Sequence, residues 1–390
     1  MKIKVLKVKR ILVYATMLTT MLMYIPAFYN SGVYAVLRLL AIALMGAVVC
    51  LTFSMPHILS SNLLRRTLFT LIVIFLEFAV FRAFKLNNRL DDFVQLVIVF
   101  FMVLVGSRVT LHDKDVLKLC TVYCIGTLVL GLLAIITYLG SFTFAVNPNA
   151  IQGKNQVGTI VAVGGGIAFY LSQLRIRHRR RYLLMAGIIF LMLLVIRCRT
   201  ALVGYGLLAF ILVSQRWSFK WKLRATLLAI TVYVCFFHTI NSLVIDSLFK
   251  SSDMTDAEFT INSDFLNQLS TNRIERNAMG IRFLIDHPIG GELTELSNIP
   301  LIHNYVLLRM VRYGIFSLPF LWLYLLYLVH CIRGVASKNG SLFNLGPYIL
   351  IIPMFCSLLE PSAPFGPGTL QIMPYLLCGI ALQQQRGTQP

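Results

Sequence analysis

Residues 33–53 read VYAVLRLLAIALMGAVVCLTF, an apolar run broken by a single charge, Arg38. A helix of about 20 such residues crosses the hydrocarbon layer of a bilayer. Comparable runs lie at 11–28, 67–84, 93–109, 117–139, 156–174, 182–197, 200–214, 224–244, 314–332, 343–360 and 368–383. A chain with run after run of this kind has one solvent that suits it, lipid, and in lipid the backbone must satisfy its own hydrogen bonds. The pattern therefore predicts an all-α, polytopic membrane protein with about twelve transmembrane helices. Composition agrees: 58% of residues are hydrophobic and 13% charged, about half the charged share of a soluble domain. The runs 182–197 and 200–214 are together too long for one crossing, so they are read as two. The opening MKIKVLKVKR before 11–28 resembles a signal peptide. Its apolar part is long and further runs follow, so an uncleaved first transmembrane helix is expected.

The net charge of +20 raises nucleic acid as a partner. The basic residues lie between apolar runs, not along one polar face, so nucleic acid is excluded and membrane orientation explains them. With the N-terminus in the cytoplasm, the inner loops hold about 22 of the 35 Lys and Arg, including the block 175-RIRHRRR-181. Both termini are then cytoplasmic. One stretch, 245–300, is long, polar and extracytoplasmic, and carries about nine of the 15 acids. Helical character is expected around 264–285, stopped by 288-PIGG-291. Three regions follow: about nine helices in 1–244, a large extracytoplasmic loop with short helices in 245–313, and about three helices in 314–390. No internal repeat is visible, and the halves differ in loop length, which argues against the inverted-repeat plan of many transporters. The eight cysteines lie mostly inside or beside apolar runs and read as small apolar filler, not as a disulfide framework.

Four polar groups belong to the outer side or its membrane edge. The first is 197-RCRT-200, a very short hairpin. Arg197 and Arg199 there either snorkel to headgroups or bind an anion from a wet cavity. The second is 272-NRIER-276, where Arg273 and Arg276 lie one helical turn apart, suited to a solvated face or to a phosphate clamp. The third is His303-Asn304. A neutral imidazole near pH 7 can take a proton from a hydroxyl, although a lone histidine is more often structural. The fourth is Arg309 and Arg312, charges placed where a membrane segment begins. Within the spans, Arg38 and Glu77 are open to mutual pairing or to function. The pair Asp91-Asp92 reads as structural, since no histidine or third carboxylate stands near for a metal.

The stretch 271-TNRIERNAMGIRFLIDHPIGGELTELSNIPLIHNYVLLRMVRYGIFSL-318 resembles the shared region of the O-antigen polymerase and O-antigen ligase superfamily. That pattern has an Arg opening an amphipathic helix, a Pro-Gly turn, a His-Asn pair before two hydrophobic residues, and an aromatic-Gly-Ile run entering a membrane helix. Arg273, His287-Pro288, Gly290, His303-Asn304 and Tyr313-Gly314-Ile315 occupy those places. The stretches 153-GKNQVGT-159 and 198-CRT-200 resemble two further family features. The chain departs from the pattern at Asn277, where an aromatic is usual, and at Gly290-Gly291, which leaves the branch open.

The resemblance implies a GT-C-like membrane glycosyltransferase working at the outer face of a bacterial cytoplasmic membrane. Its substrate would be an oligosaccharide on undecaprenyl diphosphate. A polymerase moves the growing glycan onto a lipid-linked repeat unit, and a ligase moves it onto lipid A-core. A non-enzymatic transporter of lipid-linked oligosaccharide is the alternative of another class. The leaving group is a lipid diphosphate, so cations placed there stabilise the transition state. An early outer Asp-x-Asp pair for a metal is lacking, and no cofactor is expected. Arg199 and Arg273 are read as diphosphate clamps, with Arg276 and Arg197 as further binding residues. His303 would take the proton of the acceptor hydroxyl. Asn304 would hold the loop or touch sugar, and Arg309 and Arg312 would face a wet vestibule for the acceptor's own diphosphate. A chain-length regulator is an expected protein partner.

Overall fold

The computed structural model describes residues 2–215, except 30, 85–89, 110, 140–153, 175, 177 and 197. It also describes scattered positions between 217 and 235, and residues 273–387 except 295–298, 301, 338–340, 362, 367 and 368. The span expected at 224–244 lies almost wholly outside the described residues. Among the described residues the chain is helical, with no strand. In chain order the helices are α1 (Lys2–Leu22), α2 (Pro26–Tyr29), α3 (Val33–Thr52), α4 (Met55–Ser60), α5 (Asn62–Ala83), α6 (Leu90–Arg108) and α7 (Asp113–Leu139). Then come α8 (Lys154–Gln173), α9 (Arg179–Ile196), α10 (Arg199–Ser214), α11 (Arg273–Asp286), α12 (Tyr305–Tyr313), α13 (Leu318–Ala336), α14 (Leu345–Cys356) and α15 (Thr369–Gly387).

Four stretches are long and apolar enough to cross a membrane: Val33–Thr52, Leu90–Arg108, Asp113–Thr137 and Tyr305–Ala336. Shorter apolar helices cover Arg199–Ser214, Leu342–Cys356 and Ile372–Gln383. Large apolar side chains stand on the outside, among them Leu39 on α3, Phe69 on α5, Leu184 on α9 and Leu318 on α13. Water would penalise such a surface and lipid does not. The runs 182–197 and 200–214 are indeed two helices, α9 and α10, with Cys198 between them.

At the centre lies α8, whose side chains from Val157 to Tyr170 are nearly all buried. Its 164-GGG-166 run lets other helices come close. A methyl group on Gly164 would meet Thr127 of α7, one on Gly165 would meet Ile189 of α9, and one on Gly166 would meet Leu208 of α10 and Ile352 of α14. Small residues at such crossings allow the tight packing that holds helices together in lipid.

One boundary near the site differs from that expected, and the expected break at 313/314 takes a particular form. The run 343–360 does not stay helical. Helix α14 ends at Cys356, and Ser357 to Glu360 peel away ahead of Pro361. The segment with Arg309 and Arg312 is a helix of its own, α12, which Gly314 at φ 55° separates from the turn leading into α13. Gly314 packs back to back with Gly290 at φ 103°, and a Cβ on either would overlap the other's backbone. The Ile315 N–H donates to Pro288 O at 3.1 Å across the same contact. The Pro-Gly turn and the aromatic-Gly-Ile run are therefore one joint, and only glycine fits both halves of it.

Candidate active site

Helix α14 ends with carbonyls that its own turns leave unpaired, as every helix does. Just past that end, the carbonyls of Ser357, Leu358 and Leu359 receive donors from two other segments. Tyr305 N–H donates to Ser357 O at 2.9 Å. Asn304 Nδ2 donates to Leu358 O at 3.2 Å, and Arg273 Nη1 to Leu359 O at 2.6 Å. The next residue, Glu360, is 8% exposed and accepts on one oxygen from Arg273 Nη2 at 3.0 Å and from Asn155 Nδ2 at 2.8 Å. Burial pushes the Glu360 carboxyl up, and the Arg273 charge and the Asn155 bond hold it down. Asn155 in turn meets the Cys198 thiol, which lies 3.9 Å from both its backbone and its side-chain oxygen. Cys198 immediately precedes Arg199, a half-buried residue that opens α10.

Residues at the starts of four helices thus touch 356–360: Asn155 of α8, Thr200 of α10, Arg273 of α11, and Asn304 and Tyr305 at the start of α12. Helix starts carry partial positive charge from the macrodipole. Arg276 adds a full charge, and that of Arg273 is paired with Glu360; Arg199 is placed only as the first residue of α10. Among the described residues, Glu360 is the carboxylate these contacts include. The region is built to favour an anion.

His303 sits at the edge of this region, half-buried. Arg276 Nη1 lies 3.0 Å from its Nε2. A guanidinium only donates, so Nε2 accepts and the ring proton is assigned to Nδ1. Burial, then Arg273 and Arg276, lower the imidazole from 6.5 to about 4. The ring is neutral at pH 7. Its Nδ1 is screened from solvent and has no partner among the described residues. Asn304 caps α12: its Oδ1 accepts from Leu307 N–H at 2.9 Å while its Nδ2 holds Leu358. Of the two roles expected for Asn304, these contacts give it the holding of the loop.

Arg309 and Arg312 are placed elsewhere. Arg309 is 3% exposed and paired with Asp92, and its guanidinium lies over the Tyr305 ring at 4.8 Å. Arg312 reaches the same Asp92 oxygen at 3.1 Å and Glu292 at 3.4 Å. Tyr313 OH donates to Asp92 Oδ2 at 2.8 Å. A wet vestibule was expected to make these charges tolerable. The structure instead supplies counter-charges in a packed interior, two acids against two bases. Arg197 lies outside the described residues. No ion pair joins the exposed Arg38 to the half-buried Glu77 among the described residues.

Sequence reasoning passed over Glu360 and Asn155. A signal for Glu360 was present: it is the only acid after Glu295, at the end of an apolar run and just before a proline. Asn155 lay within a stretch already singled out by resemblance, with nothing to show which of its residues matters. Comparison with protein-family models and with curated proteins finds no match for the chain.

Proposed function

We propose that the chain is a membrane glycosyltransferase of GT-C-like, about twelve-span architecture, a polymerase of polysaccharide repeat units such as those of O-antigen or capsule. It works at the outer face of a bacterial cytoplasmic membrane, with both termini inside. Its donor is an oligosaccharide chain on undecaprenyl diphosphate, and its acceptor is a lipid-linked repeat unit. The observation that carries this reading is the neutral imidazole of His303, bonded to Arg276 and next to Arg273.

In the reaction the acceptor hydroxyl oxygen attacks the anomeric carbon of the donor. The bond from that carbon to the diphosphate oxygen breaks, and the lipid diphosphate leaves with the electron pair. Arg273 and Arg276, with Arg199 as a third cation of this reading, take up the charge that grows on the leaving group. The hydroxyl proton goes to His303 Nε2. In the resting protein that lone pair is occupied by Arg276. A bound diphosphate draws Arg276 away, frees Nε2 and offsets the positive charge that keeps the imidazole a weak base. Base strength then rises only when the donor is in place. Arg309 and Arg312, paired with Asp92, belong in this account to the scaffold.

The test is made in cells and with purified protein. His303→Ala and Arg273→Ala chains should insert at normal levels and leave only single-repeat glycolipid on gels. Loss of one arginine donor should lower transfer about a hundred- to a thousandfold. Purified wild-type protein should lengthen lipid-linked oligosaccharide without ATP. Full-length polymer from either variant would sink the assigned roles. Accumulation of carrier-linked long chains in a deletion strain would identify a ligase instead.

A further inference from the structure

Helix α11 has three faces, and the proposed chemistry uses only one. Arg276, Gly280, Phe283 and Leu284 turn inward. Gly280 meets Ile302, and the two rings and chains beyond it pack on Leu308 and Val311 of α12. Glu275, Arg282 and Asp286 form an exposed polar edge. The third face carries Ile274, Ala278, Ile281 and Ile285, at the i, i+4, i+7, i+11 spacing of one helical stripe. All four are exposed, and Ile285 reaches 73%.

This stripe does not end with the helix. Ile289 follows it, also exposed, and the Ile315 N–H to Pro288 O bond sets Ile315 beside that turn. From Ile315 the exposed apolar residues continue as Leu318, Trp322, Leu325 and Val329. Those lie on the stretch Tyr305–Ala336, which is long and apolar enough to span a membrane. The apolar surface of α11 is thus continuous with a lipid-facing surface, and a charged edge borders it on the other side.

We propose that α11 docks on the membrane itself, with its isoleucine stripe in the acyl layer and its Glu275, Arg282 and Asp286 edge toward water. A helix with this division of faces lies at the boundary between headgroups and acyl chains. The first residue of α11 is Arg273, so the same docking sets Arg273 and Arg276 at the depth where lipid phosphates sit. The proposal does not rest on the glycosyl-transfer reading, because it concerns a surface that the reacting groups do not share.

Single cysteines test it in the full chain reconstituted in lipid nanodiscs. Ile281→Cys, Ile285→Cys, Arg282→Cys and Asp286→Cys are made in a background with the exposed Cys50 and Cys235 replaced by serine, and each carries a nitroxide. Oxygen and a nickel chelate then compete as relaxants. Oxygen should dominate at 281 and 285, with the nickel effect lost there, and nickel should dominate at 282 and 286. Ile274→Cys and Ile289→Cys, read in the same way, stand in if a label at 281 or 285 disturbs packing. Nickel access at every position would overturn the proposal, since the helix would then stand in water. Shielding of 281 and 285 from both relaxants would also overturn it, because protein would then cover the stripe.

Discussion

Glu360 shows what one side chain does here. Its single bonded oxygen joins Arg273 to Asn155, and thereby α11 to α8. A fixed guanidinium is worth more to a leaving diphosphate than a mobile one, because misplacement by about 1 Å costs on the order of a hundredfold. Glu360→Gln should therefore lower chain lengthening on the order of a hundredfold while the protein still inserts. Adding Glu360→Gln to Arg273→Ala should cause little further loss of transfer, since the two act as a unit. Additive losses measured on lipid-linked substrate would give Glu360 some other task. His303 carries a pH prediction. Its imidazole falls from 6.5 to about 4, so between those values the unfolded chain binds more protons than the folded one. The stability this group contributes is present above 6.5 and is lost as pH falls through 4. Thermal unfolding of His303→Gln should lose less stability over that window than wild type does. The pH profile of kcat/KM, which reports the free protein, should show no inflection near 6.5 from this residue. Arg273, Arg276 and His303 were legible in the sequence because each stands out locally by chemistry. Glu360 was not, because its partners lie 87 and 205 residues away and its role exists only through them.

At the scale of elements, the site depends on how short helices start and stop. Asn304 both caps α12 and grips the end of α14. Asn304→Ala should destabilise the protein by about 1 kcal/mol from the lost cap, and Asn304→Asp should keep most of that part. Unfolding in detergent, followed by a thiol-reactive dye at the buried cysteines, measures both. Gly290→Ala should be worse than a typical glycine replacement, since φ 103° strains any L residue and its Cβ would enter the Tyr313 backbone. The apolar runs foretold most long helices, because period and length are local properties. They did not foretell that α14 would stop at Cys356. An apolar run has no marker for the residue where packing makes the chain turn, and here the carbonyls just after α14 take donors from α11 and from the start of α12.

At the scale of the whole molecule, Asp92 ties α6 to α12 across 217 residues of chain. It serves Arg309, Arg312 and Tyr313 together, with Arg309 and Tyr313 buried and Arg312 partly so. Breaking a buried pair by removing one partner strands the other charge, so Asp92→Asn should cost about 3–5 kcal/mol. The yield of folded protein in the membrane and its unfolding temperature report that loss. Replacing Asp92 and Arg309 together by leucine should cost less than either single change, because no isolated charge is then buried. The sequence by itself determined that this is an all-helical chain for a membrane, and where its chemistry-bearing residues stand in order. Hydrophobic runs and charged breaks are local, and lipid leaves the backbone few alternatives. Only the tertiary structure decided which partner each cation takes. Arg309 and Arg312 look as available in the sequence as Arg273 and Arg276. Folding gives the first pair to Asp92, and it gives Arg273 to Glu360 and Arg276 to the His303 imidazole, because a charge's role is set by the groups that folding places beside it.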